Sequence, residues 1–166
     1  MVPFRWVSFL VTLALGLGAS LGLGACFAPP TQSQRVTDAA RELNVAARFG
    51  RMDLAVGHAS RAARKHFLER RAQWGNRIRV VDVALASLAM GEGNETAHVH
   101  VDIAWVRIDE GSLRSTRVAQ LWRERDGVWQ LTREKRAAGD IGLFGEAVKI
   151  SRSVSPDVHF ASKTIR

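Results

Sequence analysis

The chain has 166 residues, enough for one hydrophobic core, and 24 Lys and Arg against 16 Asp and Glu give it a formal charge of +8. Its single cysteine excludes an internal disulfide and any cysteine-built metal site. Tyrosine is absent, so no phenol can stabilise a developing negative charge.

The first six residues carry one charge, Arg5, and no charged residue follows from Trp6 to Gln34. A greasy run from Val7 to Leu17 precedes a string of small residues. Charged start, apolar middle and small residues before a cut site are the pattern of an export signal. An uncleaved membrane helix is the competing reading, since about 20 apolar residues span a bilayer. Leu23-Gly24-Ala25-Cys26 resembles a bacterial lipobox, and it holds the chain's one cysteine. The resemblance implies diacylglycerol on the Cys26 thiol, cleavage after Ala25 and acylation, for example by palmitate, of the new amine. Phe27 stands where an Asp would imply retention at the inner membrane, so the outer membrane facing the periplasm is expected. Two or more acyl chains anchor stably where one is marginal.

Residues 1–25 are therefore expected to be a lipoprotein signal peptide. Cleavage would lower the basic count from 24 to 23 and leave 141 residues with a formal charge of +7. In a cytoplasmic protein that excess would point to nucleic acid. Export removes nucleic acid as a partner and substitutes anionic headgroups, lipopolysaccharide or wall polymers. Residues 26–35, with Pro29 and Pro30 and no periodicity, read as an extended tether holding the domain near the bilayer.

Helical spacing starts at Val36, with Thr37 or Asp38 as the N-cap, and continues through Ala39, Ala40, Leu43, Ala46, Ala47 and Phe49 to a stop at Gly50. A short piece over Met52 to Val56 follows, then a third helix from about Ala59 to Trp74. At Arg77 the period changes to two. The segment Ile78–Ala86 is β-rich and apolar on both faces, and 91–95 is a turn. In the strand from Thr96 to Ile108, Val99, Val101 and Ile103 share one face and His98, His100 and Asp102 the other, with a bulge expected near Trp105. A third strand covers Leu113 to Arg125, Asp126-Gly127 marks a hairpin, and Val128 to Arg136 is the fourth strand. The extension 137–166 shows only a short helical signal over Phe144 to Ile150. Helices followed by an antiparallel meander give an α+β domain.

That element order, the Gly50-Arg51-Met52-Asp53-Leu54 junction and the run from Leu121 to Leu131 (LWRERDGVWQL) resemble the SnoaL-like, or nuclear transport factor 2-like, superfamily over 36–136. The resemblance implies a curved sheet of about four strands around N-terminal helices, a cone with an internal pocket. Enzymes of that superfamily often set an acid beside pocket tyrosines. Without tyrosine, isomerase chemistry that needs such an oxyanion donor is disfavoured.

Four sets of side chains remain as candidates. His98 and His100 lie about 6.6 Å apart along a strand face and could share a zinc at roughly 2.1 Å per bond, but Asp102 lies about 13 Å from His98 and no further ligand is identifiable. The alternative for this face is a solvated surface or a contact between two copies in a homodimer. Asp82, in an apolar strand, is either an acid–base group, partnered by His100 with Asp102 as the other candidate, or an edge residue facing water. Arg61, Arg64, Lys65, Arg70 and Arg71 form the densest basic region, a surface for anionic lipid or a solvated helix face. Trp74, Trp105, Trp122 and Trp129 fall where core or interface packing explains them. No phosphate loop, metalloprotease helix or nucleophile elbow is present and no cofactor is implied. The expected role is binding rather than catalysis: a small apolar ligand in the cone, or an envelope protein partner. The alternative is a small hydrolase, dehydratase or isomerase built on His100.

Overall fold

The structure is a computed structural model and describes residues 29–147. The signal-peptide run and Cys26 lie outside the described residues, as does the chain beyond 147. Three helices lead into a four-stranded sheet. Helix α1 spans Gln32–Arg48, α2 Met52–Ala55, and a 3-10 turn Val56–His58 links to α3, Arg64–Arg70. Strands β1 (Ile78–Met90), β2 (Thr96–Arg107), β3 (Leu113–Arg125) and β4 (Val128–Gly139) form an antiparallel meander in the order β1-β2-β3-β4. The α+β expectation holds. Among the described residues no helix is long and apolar enough to cross a membrane.

Helix α1 begins four residues before the expected start. Thr31, in extended backbone, accepts from the Gln34 amide at 3.2 Å, while the Gln34 side chain accepts from the Thr31 amide at 2.8 Å. This reciprocal box satisfies two orphan donors, so residues 32–35 are helix and not tether. Thr37 bonds back to the Ser33 carbonyl within the helix. Val36, Ala40, Leu43 and Ala47 form the buried stripe. The third helix is shorter than its apolar spacing suggests. Ala59 bridges to Leu131 and the Ser60 amide donates to the Leu131 carbonyl at 2.9 Å, which fastens 59–60 along the edge of β4.

Bulges decide which side chains face the core. β2 alternates without a break, and Trp105 is as fully buried as Val99, Val101 and Ile103. The bulge expected near Trp105 lies across from it: Val80 pairs with Trp105 and Asp82 with Ala104, leaving Val81 unpaired in β1. A second shift sits between Leu85 and Ser87. The two reset the parity of β1, so that Val80, then Val83 and Leu85, then Leu88 and Met90 all pack against the core. In β4 the shift between the Leu121–Arg133 and Trp122–Leu131 pairs leaves Thr132 unpaired, and the inward positions pass from Trp129 and Leu131 to Glu134.

At the β3–β4 hairpin Asp126 and Gly127 both have positive φ, 52° and 80°, as a two-residue turn matching strand twist requires. Gly139 (φ 82°) ends β4 where a Cβ would lie 2.3 Å from the Ser115 carbonyl oxygen. That close approach turns the chain back, and Leu143 and Phe144 enter the core. Of the helical signal over Phe144 to Ile150, 148–150 lie outside the described residues; Phe144 and Gly145 form a turn, and the Glu146 carboxylate accepts from the Gly142 and Phe144 amides. The domain therefore continues past 136.

Candidate functional site

The outer face of the sheet carries the polar strip read from β2. His98 is exposed and His100 and Asp102 are half-buried, opposite fully buried Val99, Val101 and Ile103. His100 and Asp102 are engaged by neighbouring strands. His100 Nδ1 lies 3.0 Å from Ser87 Oγ on β1. Asp102 accepts from both Nε (2.6 Å) and Nη2 (2.7 Å) of Arg117 on β3, and these bonds hold its carboxyl below the ordinary carboxylate value, with a smaller contribution from His100. Among the described residues no group of three or more His, Cys, Asp or Glu gathers in a metal-binding arrangement.

Asp82 sits apart from this strip. It pairs across from Ala104, four residues along β2 from His100, which separates the two by about 13 Å along the strand. Its side chain is exposed and bonds Arg48 Nη1 at 2.9 Å, so it stands as an edge residue paired to the end of α1. Register thus separates His100 from Asp82, and Arg117 occupies Asp102.

On the concave side the helices close over the sheet. Val36, Ala40, Leu43, Ala97, Val99, Val101, Ile103, Trp105, Val118 and Trp122 are fully buried. Among the described residues these side chains fill the middle of the cone, and a cavity of about 240 Å³ remains at its mouth between the end of α1 and the start of β1, lined by Ala47, Trp74 and Val80. The polar groups in the middle of the cone are paired with one another. Asn44 and Gln120 exchange side-chain bonds, Asn44 Nδ2 to Gln120 Oε1 at 3.2 Å and Gln120 Nε2 to Asn44 Oδ1 at 3.1 Å. Asn44 also donates to the Ala40 carbonyl, and the Trp122 indole donates to Gln120 Oε1. Trp105 donates to Thr116 Oγ1 at 2.9 Å, and that hydroxyl donates to the Asp140 carbonyl.

The basic residues of the third helix divide. Arg71 is withdrawn from the surface: it is 2 % exposed, its guanidinium is doubly bonded to the buried Glu134, and it lies 3.8 Å from the Phe67 ring centroid and 4.9 Å from that of Trp74. Arg70 is half-buried over Phe144 at 3.9 Å and donates to the Glu134 carbonyl. Burial holds its guanidinium below the ordinary value, with Glu134 opposing. Arg71 is thus buried away from the anionic surface expected of it, while Arg70, half-buried, turns its guanidinium onto Phe144 and the Glu134 carbonyl. Arg61, Arg64 and Lys65 remain exposed; Lys65 reaches Glu69 at 3.8 Å.

Arg61 belongs instead to a cleft that helical spacing does not indicate. Fastening 59–60 to the β4 edge brings Ser60, Arg61 and Ala62 against Arg123, Arg125, Gln130 and Thr132, around a cavity of about 590 Å³. Arg123 and Arg125 are two apart in β3 and share its outer face, Arg123 opposite Gln130 and Arg125 opposite Val128. A neighbouring cleft of about 410 Å³ continues past His66 and Phe67 to Arg133 and Glu134. Arg123 and Arg125 are hidden in the sequence because LWRERDG scans as a hairpin; the signal that marks them is two arginines at strand spacing beside an Asp-Gly turn.

No protein-family model matches this chain, and no curated protein matches it. Among solved structures it is similar to an NTF2-like protein from Cytophaga hutchinsonii, with a TM-score of 0.52 and 13 % identity over 66 % of this chain and 99 % of that one. It is also similar to a SEC-C motif-containing protein from Rhodopseudomonas palustris, with a TM-score of 0.51 and 14 % identity over 60 % of this chain and 77 % of the other. Likeness at these identities establishes architecture alone: the chain carries a nuclear transport factor 2-like α+β cone.

Proposed function

We propose that this chain is a lipid-anchored protein of the bacterial envelope whose cone-shaped domain is a binding or accessory module and not an enzyme. The observation that carries the reading is the packed interior. A cone that works on a small molecule needs an open floor, and here Trp105, Trp122 and Leu43 fill it while Gln120 and Asn44 satisfy each other. The same packing argues against an apolar ligand in the cone and favours binding at the outer surface, to a protein partner or a second copy of the chain. The enzyme alternative built on His100 loses support from the register that separates it from Asp82 and from the bonds that tie Asp102 to Arg117.

Anchoring is supported by the lipobox order around Cys26, with the outer membrane facing the periplasm as its place. α1 starts six residues after Cys26, so the domain would sit within roughly 20 Å of the acyl chains. Labelling cells with radioactive palmitate tests this part. The wild-type chain is expected to carry label, and Cys26→Ser to remain an unlabelled, uncut precursor. Equal labelling of both would end the anchoring proposal.

A further inference from the structure

We propose that the cleft formed by Ser60, Arg61, Arg123, Arg125, Gln130 and Thr132 binds the phosphate diester of an anionic phospholipid headgroup. Three guanidinium groups line one concavity, and among the described residues none of the three has a carboxylate within ion-pair distance. Among the described residues Arg35, Arg64, Arg70, Arg77, Arg79, Arg133 and Arg136 also lack such partners, so what distinguishes the cleft is that three unpaired guanidinium groups surround one concavity. Gathering like charges without counter-charge raises the energy of the folded state, and an anion in the cleft offsets it. Guanidinium forks match two phosphate oxygens at once, which ammonium groups cannot do. Gln130 and the Ser60 hydroxyl, neither bonded to another described side chain, add neutral donors for the remaining oxygens or for a headgroup hydroxyl. A volume of about 590 Å³ is that of a small-molecule site and not of a flat patch.

Position selects the lipid over a free anion. The Trp129 indole donates to Gln32 Oε1 at 3.1 Å, which fixes the first turn of α1 to the start of β4. Val128 and Gln130, the neighbours of Trp129, pair with Arg125 and Arg123. The cleft and the segment leading back to Cys26 therefore share one end of the domain. This choice of source rests on the anchoring proposed above; the phosphate chemistry does not. Bound headgroups would orient the domain with this end toward its membrane.

The test is calorimetric titration of the full chain in neutral detergent with three water-soluble probes: glycerophosphoglycerol, inorganic phosphate and zwitterionic glycerophosphocholine. Saturable binding of glycerophosphoglycerol is expected, weakened at least tenfold in the Arg123→Gln/Arg125→Gln double variant. The Arg41→Gln/Arg51→Gln double variant has the same net charge with both changes outside the cleft, and is expected to stay within twofold of wild type. Tighter binding of inorganic phosphate, lost in the same variant, would overturn the lipid assignment. Equal binding of glycerophosphocholine would overturn the anionic-headgroup assignment, and equal weakening in both double variants or no saturable binding would overturn the site itself. Thermal melting of each variant separates lost binding from lost folding. Failure of palmitate labelling would strike the anchor and leave these titrations as they are.

Discussion

Arg71 and Glu134 form a two-bonded ion pair sealed inside the domain, with side chains 1 % and 3 % exposed and the Nη2–Oε2 contact at 2.8 Å. Phe67, Trp74 and Phe144 flank the guanidinium within 3.8 to 5.5 Å, so the charge is held by aromatic faces as well as by the carboxylate. The pair joins the end of α3 to β4 and supports the C-terminal turn. Removing one partner leaves an uncompensated buried charge, so Glu134→Ala should destabilise by about 3–5 kcal/mol. An Arg71→Met/Glu134→Leu double variant should recover most of that loss, because two apolar groups of similar volume need no counter-charge. Urea midpoints of the three proteins check both statements.

The amide pair of Asn44 and Gln120 bridges α1 to β3 in the middle of the packed cone. Asn44→Ala would strip Gln120 of a donor and an acceptor while leaving its bond from Trp122. The expected destabilisation is about 1–3 kcal/mol, the penalty for orphaning a buried polar group. Simultaneous Asn44→Leu and Gln120→Leu should be milder than the sum of the two single changes, measured by the same unfolding curves in a double-mutant cycle.

Much of the fold is legible in the sequence because its signals are local. The Val99–Val101–Ile103 alternation, the Asp126-Gly127 turn and the α1 stripe each depend on a few adjacent residues, and each lies where the pattern puts it. What escaped depends on pairing. The fate of Arg71 is set by Glu134, which reads as one more charge in Thr132-Arg133-Glu134-Lys135-Arg136 until the bulge at Thr132 turns it inward. Arg61 lines the same cleft as Arg123 only because 59–60 lie along β4, a juxtaposition across more than sixty residues of chain. The capping role of Thr31 is masked by the two prolines before it, which suggest a continuing tether, although Thr31 and Gln34 have the capping-box spacing.

That cap gives a local prediction. Thr31→Ala removes the bond to the Gln34 amide and should cost about 1 kcal/mol. Fraying of the first turn would also loosen Gln32 from Trp129, so amide exchange at the α1 start should rise while the β2–β3 core stays protected. Hydrogen exchange read by mass spectrometry checks the pattern.

The surface pair of Asp102 and Arg117 gives the pH dependence. The Asp102 carboxyl titrates lower in the folded chain than in the unfolded one, chiefly because Arg117 bonds its charged form. Its contribution is present above the unfolded value, near 4 for a free Asp, and fades as pH falls through the lower folded value. Solvent exposure keeps it small. Asp102→Asn should therefore lower the melting temperature slightly at pH 7, and the difference should shrink as the pH falls below the unfolded value.

Native mass spectrometry of the protein, gently extracted from its own membrane, tests the central claim most directly. A lipid-anchored binding module should appear as a chain beginning at Cys26 with acyl mass attached and a partner chain, second copy or headgroup lipid retained. A bare, unacylated chain that begins elsewhere and carries nothing would contradict the account.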